Sequence, residues 1–220
     1  KTFKKIDILD FINQKEIEKL NFDELQKIKD LHYGPHGFVS LYDDQKHSRK
    51  IVVKTLFGSN VNDEKETEKA FINEVNALVS LKHPCILPIV GYYPPIPSTN
   101  EKPATQPMIG TIYAENGSLE DILTLIEKGQ KPSFVDDTWL TIIIVGIVIG
   151  MKYIHSNNWI YRDLKPSNIL IDKKGYPLIG DLGSSRLVDL SITYTKMVGS
   201  PLYMAPEMYD EGKYSSRVDS

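Results

Sequence analysis

The sequence predicts an α+β protein built in two parts, strand-rich first and helix-rich afterwards. Three observations carry that prediction. From Leu25 to Lys54 short segments alternate between apolar and polar residues, broken by glycines, and end in Lys50-Ile51-Val52-Val53-Lys54. That is the period-two pattern of strands. Beyond Asn116-Gly117 the apolar residues gather into longer runs behind capping side chains, as helices do. The 220 residues are 41% hydrophobic and 25% charged, enough for a sizeable core in one or two lobes.

Residues 1–24 are rich in Lys and Glu, with Ile6, Leu9 and Ile12 at helical intervals, and read as a helical or irregular leader. Residues 25–113 form the strand-rich lobe. Within it, Asp63 to Leu81 puts Phe71, Val75, Leu78 and Leu81 on one side and charges elsewhere, an amphipathic helix. Cys85 to Tyr92 and Met108 to Tyr113 read as two further strands. Between them, prolines at 94, 95, 97, 103 and 107 mark an extended loop. Residues 114–220 form the helical lobe. Ser118 caps its first helix, and Asp136 or Asp137 caps a long one that runs to His155. The most apolar stretch of that helix, Leu140 to Met151, is twelve residues long. It falls short of the ~20 needed to span a bilayer, so it is expected to be a fully buried helix.

A net charge of −3 and a pI near 6.0 argue against a nucleic-acid surface, for which a basic stripe is expected. Cys85 is the single cysteine, so no internal disulfide forms, and a reducing, cytoplasmic setting is expected. Cys85 itself reads as a small packing residue, because no neighbour in sequence would activate it. The chain begins at Lys1 without a signal-peptide pattern, and is expected to be cut from a longer protein.

The densest chemistry lies in Tyr161-Arg162-Asp163-Leu164-Lys165-Pro166-Ser167-Asn168. Such a cluster of aspartate, lysine and asparagine is not core material, since charged side chains are rarely buried unpaired. Asp181-Leu182-Gly183 follows, and then Ala205-Pro206-Glu207. Upstream, His32-Tyr33-Gly34-Pro35-His36-Gly37-Phe38-Val39 precedes Lys54, and Glu74 lies on the amphipathic helix after it. Taken singly, two glycines three apart also describe an ordinary hairpin turn, Lys54 a strand's exit to solvent, and Glu74 a solvated helix charge.

Taken in order, these motifs resemble the eukaryotic protein kinase domain. The resemblance implies a bilobal kinase-like fold with a β-rich N-lobe and a helical C-lobe. It also implies ATP-dependent phosphoryl transfer to protein hydroxyls, which needs held phosphates, neutralised charge and an oriented alcohol. On that resemblance Gly34 and Gly37 belong to the phosphate-covering loop, and Lys54 contacts the phosphates and pairs with Glu74. Asp163 orients the substrate hydroxyl as base, and Lys165 balances charge on the phosphoryl group. Asn168 and Asp181 bind Mg²⁺. The adenine is implied to lie between the lobes against Leu31, Val39, Val52 and Leu170, with backbone contacts from Ile112 to Ala114 and Thr111 as gatekeeper. Lys165-Pro166-Ser167-Asn168 and Gly199-Ser200-Pro201 resemble the serine/threonine class, in which the hydroxyl at Ser200 contacts Asp163 and Lys165. His83-Pro84, Asn116 to Leu119 and Gly150 to His155 resemble its tyrosine-kinase-like branch. A protein substrate follows, with room for an upstream kinase acting on the loop from Asp181 to Glu207; Thr195 is its best-placed acceptor, ahead of Thr193, Tyr194 and Ser191.

Three positions depart from the family. His32 replaces the first loop glycine, Tyr161 replaces a histidine, and Leu182 replaces a phenylalanine. The last two belong, with Leu78 and Ile89, to the family's internal hydrophobic spine. Tyr214 to Ser220 resembles the start of a large central helix whose aspartate, here Asp219, braces the catalytic loop. The C-lobe is therefore expected to be incomplete at Ser220, with apolar surface uncovered and poor stability and doubtful activity on its own. A pseudokinase scaffold is the competing reading; the segment ending in Ala205-Pro206-Glu207 disfavours a metabolic small-molecule kinase.

Overall fold

The computed structural model describes residues 17–21, 24–34, 37–57, 64–96, 105–188, 199–208 and 216–219. Most of the leader, Pro35 and His36, Pro97 and Pro103, the acceptors Ser191, Thr193, Tyr194 and Thr195, and Tyr214 lie outside the described residues. The chain divides into two compact units, residues 1–80 with 88–113, and residues 81–87 with 114–220.

The first unit is an antiparallel sheet of five strands: β1 (Leu25–Gly34), β2 (Gly37–Asp44), β3 (Arg49–Leu56), β4 (Ile89–Tyr93) and β5 (Met108–Ile112), in the order β1-β2-β3-β5-β4. Alternation in β3 decides its faces. Ile51 and Val53 are buried with Leu20 in a core that Leu25, Tyr42, Val90 and Met108 complete, while Val52 and Lys54 point the other way. The stretch around Leu20 belongs to the leader, yet it runs extended: Lys19 pairs with Tyr92, and the Leu20 N–H donates to the Tyr92 carbonyl. Helix α1 (Glu64–Ser80) buries Phe71, Val75 and Leu78 as its amphipathic pattern requires.

Cys85 to Pro88 is not strand, contrary to expectation; β4 begins at Ile89. Pro84 and Pro88 lack the N–H that a ladder needs. Residues 81–87 instead join the second unit, where Leu87 and Cys85 exchange backbone bonds with Ile179.

The second unit holds α2 (Leu119–Glu127), α3 (Asp137–Ser156) and two short antiparallel strand pairs, β6 (Trp159–Ile160) with β9 (Arg186–Leu187) and β7 (Ile169–Ile171) with β8 (Pro177–Ile179). Ser118 and Asp121 form a reciprocal capping box on α2. Asp136, rather than Asp137, caps α3 by accepting from the Trp139 N–H at 2.7 Å. Ser216–Asp219 forms a 3-10 turn whose Val218 packs on Ile160 and Met208.

Helix α3 corrects the expectation of full burial. Only one stripe is covered, Trp139, Ile143, Gly146, Gly150, Met151 and Ile154, at the three-to-four spacing of a single helical face. Leu140, Ile142, Ile144, Val145, Val148 and Ile149 are exposed, Ile144 by 62% and Val148 by 60%. An unbroken apolar run carries no period, so the sequence could not say which side is covered. At 20 residues, α3 is also the one helix among the described residues long and apolar enough to cross a membrane by length and composition.

Candidate active site

In the first unit, β3 and α1 bring Lys54 and Glu74 together. The Lys54 ammonium lies 2.9 Å from each Glu74 carboxylate oxygen, and Glu74 is buried. Val39 is paired with Lys54, and Val52 with both Leu41 and Thr111, so these side chains share one face of the sheet. Val39 and Val52 are half-buried, whereas Leu31 is exposed, at the register shift between Asp30 and His32. Gly34 opposes Gly37 at the hairpin end. A Cβ on Gly37 would collide with the Thr55 carbonyl oxygen, so the strands can close there only around glycine. Thr111 and Ile112 end β5.

The second unit holds Ala114, Leu170 and the densest polar cluster. Asp163 is buried, and four donors surround its carboxylate. Oδ1 accepts from the Ser200 N–H and hydroxyl, each at 2.9 Å. Oδ2 accepts from the Lys165 ammonium and the Asn168 amide, each at 2.8 Å. Lys165 also donates to Ser200 Oγ at 2.7 Å. An alcohol is thus held between a carboxylate and an ammonium. Charge-assisted bonds of this kind are about twice as strong as neutral ones. Gly199 makes the arrangement sterically feasible: its φ is +114°, and a Cβ there would strike the Arg162 carbonyl oxygen.

Asp219 holds the backbone at the head of this cluster. Its Oδ2 accepts from the Tyr161 N–H at 2.7 Å and contacts His155 Nε2 at 2.9 Å, while Oδ1 accepts from the Arg162 N–H at 2.6 Å. Arg162 adopts a left-handed φ of 72°, and its guanidinium donates to the Ser184 carbonyl, from Nε at 2.7 Å.

Tyr161 is fully buried, and its hydroxyl donates to the Gly180 carbonyl at 2.6 Å. Burial, followed by the negative charge of Asp181 and Asp163, pushes its phenol well above the usual tyrosine range. The sequence flagged Tyr161 as a departure but gave no sign of this bond. The Gly180 N–H donates back to the Asn168 carbonyl at 2.8 Å, which sets Asp181 beside Asn168. Asp181 is exposed, at a left-handed φ of 44°. Cys85 borders a cavity of about 530 Å³ with Val145, Gly146 and Pro177. Burial raises its thiol pKa, the opposite of an activated nucleophile.

Asn168 spends both amide hydrogens on Asp163, one on the backbone carbonyl and one on Oδ2, so its amide oxygen is the atom that would meet a cation. With the Asp181 carboxylate it offers two hard oxygens on neighbouring backbones. That suits Mg²⁺, which keeps several waters and takes phosphate oxygens from a nucleotide. No cluster of three His, Cys, Asp or Glu capable of holding a metal exists among the described residues, and a cation shared with a nucleotide does not need one.

Comparison with known proteins places the same residues in a family. The model described as "Protein kinase domain" matches residues 25–220. The chain is 30% identical over 216 residues, 97% of its length, to rat "Serine/threonine-protein kinase TAO2". It is 32% identical over 194 residues, 84% of its length, to human "Serine/threonine-protein kinase Nek2". Yeast "cAMP-dependent protein kinase type 3" is 30% identical over 203 residues, 91% of this chain. The chain spans 16%, 41% and 46% of those three relatives' own lengths, respectively.

Proposed function

Because this chain belongs to the protein kinase family, we propose that the protein carrying it transfers the γ-phosphoryl group of ATP to serine or threonine hydroxyls of protein substrates, with Mg²⁺ as cofactor. The observation that carries the proposal is the alcohol of Ser200 held between Asp163 and Lys165. The same two groups would receive a substrate alcohol, Asp163 accepting its hydroxyl proton and Lys165 countering charge on the phosphoryl oxygens. Lys54, steadied by Glu74, would hold the α- and β-phosphates. Bound through Asn168 and Asp181, Mg²⁺ would neutralise developing phosphate charge. Leu31, Val39, Val52, Thr111, Ile112, Ala114 and Leu170 would form the adenine site, with Gly34 and Gly37 over the phosphates. The named relatives are serine/threonine kinases; the tyrosine-kinase-like branch rests on the sequence motifs alone and belongs to this proposal, as does a cytoplasmic setting.

The test is transfer from labelled ATP to a generic basic protein, in the full-length protein, comparing wild type with Asp163→Asn. The amide removes the base, and a loss of at least about 10²-fold is expected. Equal rates for the two proteins would leave only the pseudokinase reading, and failure of Mg·ATP to raise the melting temperature would remove nucleotide binding as well.

A further inference from the structure

We propose that His32 is an additional nucleotide-binding residue, donating from an imidazole N–H to the phosphates held by Lys54; this rests on the kinase reading above. His32 is paired with Val39, and Val39 with Lys54. Directly opposed residues of an antiparallel ladder project from the same face, roughly 5 Å apart per strand. The imidazole therefore leaves the sheet in the same row as the Lys54 ammonium, about 10 Å along it. Gly34, two residues on, points the same way, and the His32 Nε2 lies 3.2 Å from where a Gly34 Cβ would be. The ring tip thus reaches along the hairpin towards the end closed by Gly34 and Gly37.

The opposite face holds the hairpin in place. Tyr33 and Phe38 stack there with centroids 6.4 Å apart and planes within 4°, and Phe57 closes the cluster at 6.0 and 6.3 Å. This packing fixes which way His32 can point. A glycine at position 32 would offer only backbone, whereas histidine offers a ring N–H donor. The groups around it are defined. From β2 come apolar Val39 and Leu41, and from β3 comes Lys54 with Glu74 of α1 bound to it. On β1 the charges are Lys27, Lys29 and Asp30, with Asp30 bonded to Lys27 at 2.7 Å and to Ser40 at 2.5 Å. A triphosphate is the anion placed to accept from that N–H.

The experiment measures Kd for Mg·ATP and for adenosine in the full-length protein, as wild type, His32→Leu and His32→Gly. Both variants should bind Mg·ATP about 5–10-fold more weakly, with adenosine unchanged. An equal loss for adenosine, or no loss, would overturn the assignment while leaving the kinase reading intact. Wild type binding no Mg·ATP at all would overturn both.

Discussion

Replacing Tyr161 by phenylalanine removes one oxygen and nothing else. The ring is fully buried, so its packing stays, and the Gly180 carbonyl loses the hydroxyl that donates to it at 2.6 Å. A buried acceptor left without its donor costs about 1–2 kcal/mol. For a chain of this size that lowers Tm by about 2–8 °C, readable by calorimetry at pH 7. The pH dependence then tests burial of the hydroxyl independently. Burial, with the nearby Asp181 and Asp163 charges, holds the phenol pKa well above its unfolded value near 10. The folded state therefore favours the neutral phenol. Its stabilisation is complete below about pH 10 and is lost as pH rises through the folded pKa, by up to ~1.4 kcal/mol per pH unit. Phenylalanine has nothing to titrate, so the wild-type advantage should shrink above pH 10 while other titrations cancel between the two proteins. A phenylalanine variant melting at or above wild type at pH 7 would refute the bond's contribution. Stability curves that stay parallel above pH 10 would refute the buried phenol.

Asp219→Ala removes the acceptor of two backbone N–H groups and a contact of His155. It should cost about 2–5 kcal/mol, seen as a lower urea midpoint at unchanged slope; an unchanged midpoint would mean that other groups carry the loop. Gly199→Ala forces a Cβ against the Arg162 carbonyl at a φ of +114°. A loss of about 1–3 kcal/mol is expected, with kcat/KM reduced at least about tenfold because Ser200 is displaced from Asp163; wild-type values in both assays would show that Arg162 and Gly199 can separate freely.

The features most legible in sequence were those that the resemblance to a known family implies. The Lys54–Glu74 pair, the contacts of Ser200 with Asp163 and Lys165, and the bracing of the loop by Asp219 are all present. What stayed hidden lay outside those motifs. No motif pairs the Tyr161 hydroxyl with the Gly180 carbonyl, so the substitution was visible and its bond was not. The covered side of α3 was hidden because a uniformly apolar run has no moment to orient it. Cys85 to Pro88 looked strand-like by composition, but the prolines at 84 and 88 and the backbone bonds to Ile179 turned it away from the ladder. The row joining His32 to Lys54 emerged only once the register was known, since bulges in β1 break simple alternation.

The departures at Tyr161 and Leu182 acquire a physical meaning from the links between two segments. Residues 161–168 and 180–185 are tied by Gly180 N–H to the Asn168 carbonyl, Tyr161 hydroxyl to the Gly180 carbonyl, and Arg162 Nε to the Ser184 carbonyl. Each segment also contains a non-glycine residue at positive φ, Arg162 and Asp181. Such conformations cost about 1–3 kcal/mol apiece and persist only where the surroundings over-determine them. Asp219 restrains the backbone at Arg162, while the two bonds at Gly180 restrain the backbone entering Asp181. The Tyr161 hydroxyl therefore fixes the residue before the proposed Mg²⁺ ligand. Leu182 gives up ring atoms two residues beyond, where Tyr161 adds them, and both remain fully buried, as cores tolerate when total volume is kept. The Tyr161–Gly180 bond ties residues 161–168 to the segment that carries Asp181.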